Sequence, residues 1–167
     1  MRTTIRAMGL LLILCISASA AVKPEDKAKP FMLKNADGTE FSLANARTGP
    51  LVLLFTTRDL GDFSLAWHDS IHVYCPKVKV QSVLDLSDVS SWKHGLAKVM
   101  IRAKGSTSII DWDGEVSEAW RGKDRKDVVA VGLMPDNTVM FVVKGKPEPA
   151  NVKAVTDALK ASKKPVE

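Results

Sequence analysis

Leu51-Val52-Leu53-Leu54-Phe55-Thr56-Thr57 is an apolar run of strand length, and a helical pattern follows it at once. Strands buried on both faces read this way, so the run is expected to be the central strand of a small α/β domain. Gly49-Pro50 breaks the chain just ahead of it, as turn residues do. Behind it, Leu60, Phe63, Trp67, Ile71 and Tyr74 recur at helical spacing and mark one apolar face. Pro76 disfavours helical geometry at Cys75, so the helix should end there. Val78 to Leu86 reads as a second strand. Asp88 and Ser90 offer caps for a helix from about Ser91 to Lys104, closed by Gly105, with Trp92, Leu96, Val99 and Met100 expected on its inner face.

Farther out, Phe31-Met32-Leu33 and Phe41-Ser42-Leu43 flank a Gly-containing turn at Asn35 to Thr39, which predicts a hairpin. Ile109-Ile110 leads into a short strand and a turn at Asp113-Gly114, then Ala119-Trp120. The segment Arg121 to Asp127 is dense in both signs of charge and reads as a solvated surface. Val128 to Met134 and Val139 to Val143, joined by Pro135-Asp136-Asn137-Thr138, predict a second hairpin. Ala150 to Ala161, with Val152, Val155 and Leu159 on one face, predicts a terminal helix, and residues 162–167 a polar tail.

Residues 1–20 have the parts of a secretory signal: Arg2 and Arg6, an apolar core from Ala7 to Ile16, and Ala18-Ser19-Ala20 as the cleavage site. Cleavage after Ala20 would leave 147 of the 167 residues, which suits one domain spanning 31–161 after a flexible lead-in at 21–30. A periplasmic address is the expectation, and no later stretch is long and apolar enough for a transmembrane segment. Net charge falls from +5 to +3 when Arg2 and Arg6 leave. With no basic motif interleaved with aromatics, no nucleic-acid partner is expected. Cys15 leaves with the signal, so Cys75 would remain as a single thiol.

The order hairpin, strand, helix, strand, helix, hairpin, helix resembles the thioredoxin fold, the first hairpin matching an N-terminal extension found in exported and peroxiredoxin-like members. A closer likeness lies in Asp113-Gly114-Glu115-Val116, Ala119-Trp120, Val128-Val129-Ala130-Val131, the turn at Asp136-Asn137, Gly145 and the helix carrying Val152, Val155 and Leu159. These resemble the YtfJ-like family of small exported thioredoxin-fold proteins. The likeness covers about residues 109 to 161; Lys146-Pro147-Glu148-Pro149 departs from it. It implies the fold and the exported address and no particular activity, so it assigns no functional residues.

Thiol chemistry in such a fold needs a thiolate in the turn after the central strand, where helix N-H groups stabilise it. That turn here is Arg58-Asp59-Leu60-Gly61-Asp62-Phe63, without sulfur. The residues before Val128 are Arg125-Lys126-Asp127, where an active member would place a cis-proline. Cys75 falls at the opposite, carbonyl-rich end of the first helix and reads as a structural cysteine; the alternative is a thiol-dependent oxidoreductase or peroxidase using Cys75. His68, His72 and Cys75, four and then three apart, would share one side of that helix and offer a third reading as zinc or copper ligands. Two surface histidines beside a buried cysteine is the plainer account. Asp59 and Asp62 read as helix caps. Trp67 and Trp92 are expected in the core, whereas Trp112 and Trp120 are expected at the surface as a contact patch for a partner protein. Nothing in the sequence calls for a cofactor. The expected function is therefore binding or interaction with an unidentified ligand or periplasmic partner, without dithiol turnover.

Overall fold

A computed structural model describes residues 21–162. The signal read over 1–20 and the tail from residue 163 lie outside the described residues. The strands are β1 (Met32–Asn35), β2 (Glu40–Ser42), β3 (Leu51–Thr57), β4 (Lys79–Asp85), β5 (Ile109–Asp111), β6 (Val129–Leu133) and β7 (Val139–Lys144). The helices are α1 (Gly61–Tyr74), α2 (His94–Ala103), α3 (Glu115–Arg121) and α4 (Pro149–Ala161). The strands form one mixed sheet in the order β2-β1-β5-β4-β3-β6-β7. β3 runs parallel to β4 and β4 to β5, while every other pairing is antiparallel.

β3 is buried from Leu51 through Thr56, as its unbroken apolar run requires. Alternation along the strand divides the core in two. Leu51, Leu53 and Phe55 face Val83, Ile109, Trp120, Val129 and Val131. Val52 and Leu54 face the opposite layer, where α1 and α4 contribute Trp67, Ile71, Val152, Val155 and Leu159. The β6–β7 hairpin turns at Asn137, which holds a φ of 68°, a conformation asparagine tolerates better than most residues. α4 starts with Pro149 in its first turn, where a missing N-H costs no helix bond.

Several expectations are corrected. Trp92, Leu96, Val99 and Met100 are all exposed, because α2 docks through Ala97 and Ile101 on Leu84, Leu86, Val89 and Ile110. Trp120 is buried: it stacks on Phe55 at a centroid distance of 5.3 Å and meets Phe31 edge-on at 5.5 Å. Trp112 is half-buried and stacks on His94. Tyr74 is exposed at the end of α1 and sits under Lys160. Neither α1 nor the turn before α2 has a side-chain cap bond; Asp88 lies against Arg125 and Arg58 instead. In the lead-in, the amide of Glu25 donates to the Val139 carbonyl and that of Ala28 to the Asn137 carbonyl, and Ala28 is buried.

Candidate functional site

The three parallel strands end in register, Thr57 beside Asp85 and Asp85 beside Asp111. In open α/β sheets, the carboxyl edge of the parallel strands is where ligands bind. Here that edge carries a charge network rather than a nucleophile. Asp85 and Asp111 point to the α3 side, and both are buried, at 2 % and 0 % exposure. The first residue of the segment expected to be solvated, Arg121, is buried as well. It pairs with Asp85, and its Nη1 donates to the Asp124 carbonyl at 2.6 Å. The Arg121 Nε has no partner among the described residues.

Asp85 is held from other directions too. The Ser87 amide donates to Oδ1 at 3.0 Å and the Ser87 hydroxyl at 2.7 Å, with Arg125 Nη2 at 3.3 Å. Burial by itself pushes this carboxyl up, but the Ser87 bonds, Arg121 and Arg125 outweigh it and hold it below the ordinary carboxylate range. Asp111 goes the other way. Burial and the nearby Asp113 outweigh its bond from Ser117 and raise it above that range. Its two oxygens accept the amides of Gly114 at 3.1 Å and Ser117 at 2.6 Å, fixing the start of α3. Gly114 has a φ of 78°, and a Cβ there would come within 2.9 Å of the Ser87 side chain, so the α3 turn seats directly on the Asp85 loop.

From this buried centre the network reaches the turn after β3. Arg125 lies 3.4 Å from Asp88, and Asp88 lies 3.9 Å from Arg58. Arg58 is 64 % exposed in its side chain and held loosely, by Asp59 at 3.4 Å and by Asp88. It stands between two clefts. One, of about 340 Å³, lies between α1 and α2 over Thr56, Ser64, Ser82, Ser106 and Ser108. The other, of about 240 Å³, is apolar, with Leu84, Leu86, Val89, Leu96 and Met100 in its walls. Leu60 and Phe63, where a Cys-x-x-Cys pair would have to stand at the start of α1, pack on the core instead.

Cys75 is buried, 2 % exposed, in the layer that holds Val52, Leu54, Ile71 and Val78. It follows the last residue of α1, and the 14-residue length of that helix puts it roughly 20 Å from the Arg58 turn. His68 and His72 are brought together, their rings stacked at 4.3 Å, both half-buried on the flank of α1, with His68 in the wall of the cleft between α1 and α2. Cys75 is in the core and does not join them. Among the described residues, no three His, Cys, Asp or Glu side chains are arranged to hold a metal.

The residues missed from sequence are Asp85, Asp111, Arg121 and Arg125. Their one local signal is an acidic residue closing each of two apolar strands, Val83-Leu84-Asp85 and Ile109-Ile110-Asp111.

No family model matches the sequence, and no curated protein does. Solved structures do match its shape. The exposed lipoprotein thioredoxin of Streptococcus pneumoniae superposes with a TM-score of 0.61 at 15% identity, over 78% of this chain and 100% of its own. A putative thiol:disulfide interchange protein, DsbE, from Chlorobium tepidum gives 0.61 at 19% identity, over 86% and 99%. A secreted disulfide oxidoreductase of Mycobacterium tuberculosis gives 0.52 at 16% identity, over 78% and 95%. With its mixed sheet, central parallel unit and flanking helices, the chain has a thioredoxin-like fold.

Proposed function

We propose that this protein is an exported, periplasmic thioredoxin-like binding module, related to the YtfJ-like proteins, that works through the Arg58 corner without thiol turnover. The observation carrying this reading is the separation of sulfur from the corner. Leu60, just before α1, and Phe63, in its first turn, hold the corner, and Cys75 is buried at the helix's far end. Redox exchange requires a thiolate reachable by the partner's disulfide, and burial denies that reach. What the corner offers in its place is an exposed guanidinium between a hydroxyl-lined cleft and an apolar one. A guanidinium there suits a carboxylate or other anionic group on the bound molecule.

The test uses the mature chain and its Cys75→Ser variant in insulin-reduction and peroxide-consumption assays. Both proteins are expected to stay at the background rate, with Cys75 alkylated only after denaturation. Turnover by the parent that disappears in Cys75→Ser would reverse the assignment and make the protein a thiol enzyme.

A further inference from the structure

Helix α2 leaves an apolar ridge exposed, running from Trp92 to the rim of the cleft that Leu96 and Met100 share with Leu84, Leu86 and Val89. Trp92, in the turn leading into it, is 79 % exposed, Leu96 64 %, Val99 55 % and Met100 55 %. At about 3.6 residues per turn these four fall within one sector of roughly 100°. Lys93 and Lys104 lie along one border of the sector and Arg102 along the other, with Lys98 farther round the helix over the Trp112 ring. No Asp or Glu occurs between Asp88 and Asp111. None of those four cations is in an ion pair among the described residues. Elsewhere some cations have acidic partners, as Lys27 has Asp136 and Lys144 has Asp124, but among the described residues only α2 combines cations with an exposed apolar ridge.

We infer that α2 is an interfacial helix that seats the protein on an anionic lipid surface. An outward apolar sector with cations on both flanks is the arrangement such helices use: the apolar side chains enter the boundary between headgroups and acyl chains. The lysine and arginine stems lie along that boundary while their charges reach lipid phosphates. Trp92 stands at one end of the ridge with Lys93 against its ring, the amphipathic pairing favoured at headgroup level. The single sign of charge along both borders fits a uniformly anionic plane. This role goes beyond binding at the Arg58 corner, although Lys93, Leu96, Met100 and Lys104 also border the apolar cleft beside that corner.

The experiment is co-sedimentation of the mature chain with vesicles of phosphatidylglycerol and phosphatidylcholine, against vesicles of phosphatidylcholine alone. Binding to the anionic vesicles is expected, decreasing with salt, with a blue shift of tryptophan emission that Trp92→Phe removes while binding persists. Because the altered side chains are exposed, Leu96→Ser with Met100→Ser should fold normally, as should Lys93→Glu with Lys104→Glu. Each pair is expected to lower the vesicle partition coefficient by about tenfold or more. Equal binding to both vesicle types, or none to either, overturns the inference. So does a loss confined to the charge-reversed pair, which would mean adsorption of a basic protein without insertion. Self-association abolished by the same substitutions, in the absence of vesicle binding, would give the face to a second copy and likewise overturn it.

Discussion

Replacing Asp85 with leucine is expected to lower the unfolding free energy by about 3–5 kcal/mol, because Arg121 is then buried without its carboxylate. Both side chains of the pair are 2 % exposed, so water cannot take over either partner's role. Arg121→Met should cost less. It leaves Asp85 its two Ser87 bonds and the Arg125 contact. The double variant, Asp85→Leu with Arg121→Met, is expected to recover most of the loss, since a buried ion pair replaced as a unit by apolar groups is often neutral. Urea unfolding of the four proteins supplies the cycle. A loss under about 1 kcal/mol for Asp85→Leu alone would show that the network does not hold the strand ends together.

The same network sets an acid limit with a defined sign. Asp85 has a folded pKa below its unfolded value, so its stabilising contribution is present above the ordinary carboxylate pKa and is lost as pH falls through the depressed one. Asp111 is displaced upward and acts oppositely: the folded chain keeps a proton that the unfolded chain releases, so its contribution declines as pH rises across that interval. Exposed carboxylates such as Asp136, lowered to about 2, add to the acid loss. Comparing parent with Arg121→Met cancels them. The variant is expected to lose less stability on acidification below pH ~4 than the parent.

The sheet was legible because its signals are local. β3 announced itself by an unbroken apolar run, the β6–β7 hairpin by β-rich segments around Pro135 to Thr138, and α4 by the spacing of Val152, Val155 and Leu159. Helical spacing also grouped Trp92, Leu96, Val99 and Met100 correctly on one side of α2. It could not say on which side the rest of the protein lay. That is decided by the surface formed by Leu84, Leu86 and Ile110, which Ala97 and Ile101 already cover. The charge network was illegible for a related reason. Arg121 meets Asp85 across 36 residues of chain, and no periodicity links an arginine in a charged segment to an acid at a strand end. Trp120 belonged to the same misreading, since α3 turns both it and Arg121 inward.

Trp67→Ala is expected to cost about 3–5 kcal/mol, the range for removing a fully buried large aromatic side chain. The indole is 0 % exposed and lies in the layer formed by Val52, Leu54, Ile71, Val155 and Leu159. Its Nε1 donates to the Gly145 carbonyl at 2.9 Å. Gly145 in turn donates its amide to Val128, so one side chain ties α1 both to the sheet and to the connection entering α4. Trp67→Phe separates the contributions: most of the apolar area stays, while the Gly145 carbonyl loses its donor, a change worth about 1–3 kcal/mol. The helix loosened by either substitution is the one that starts at the Arg58 corner. Amide exchange over residues 58–64 should therefore accelerate in Trp67→Ala more than in Trp67→Phe, while β6 and β7 keep their protection until global unfolding. Unchanged exchange at the corner in Trp67→Ala would mean that the turn is held from the strand side, by β3 and Asp88, and that α1 contributes little to the shape of the site.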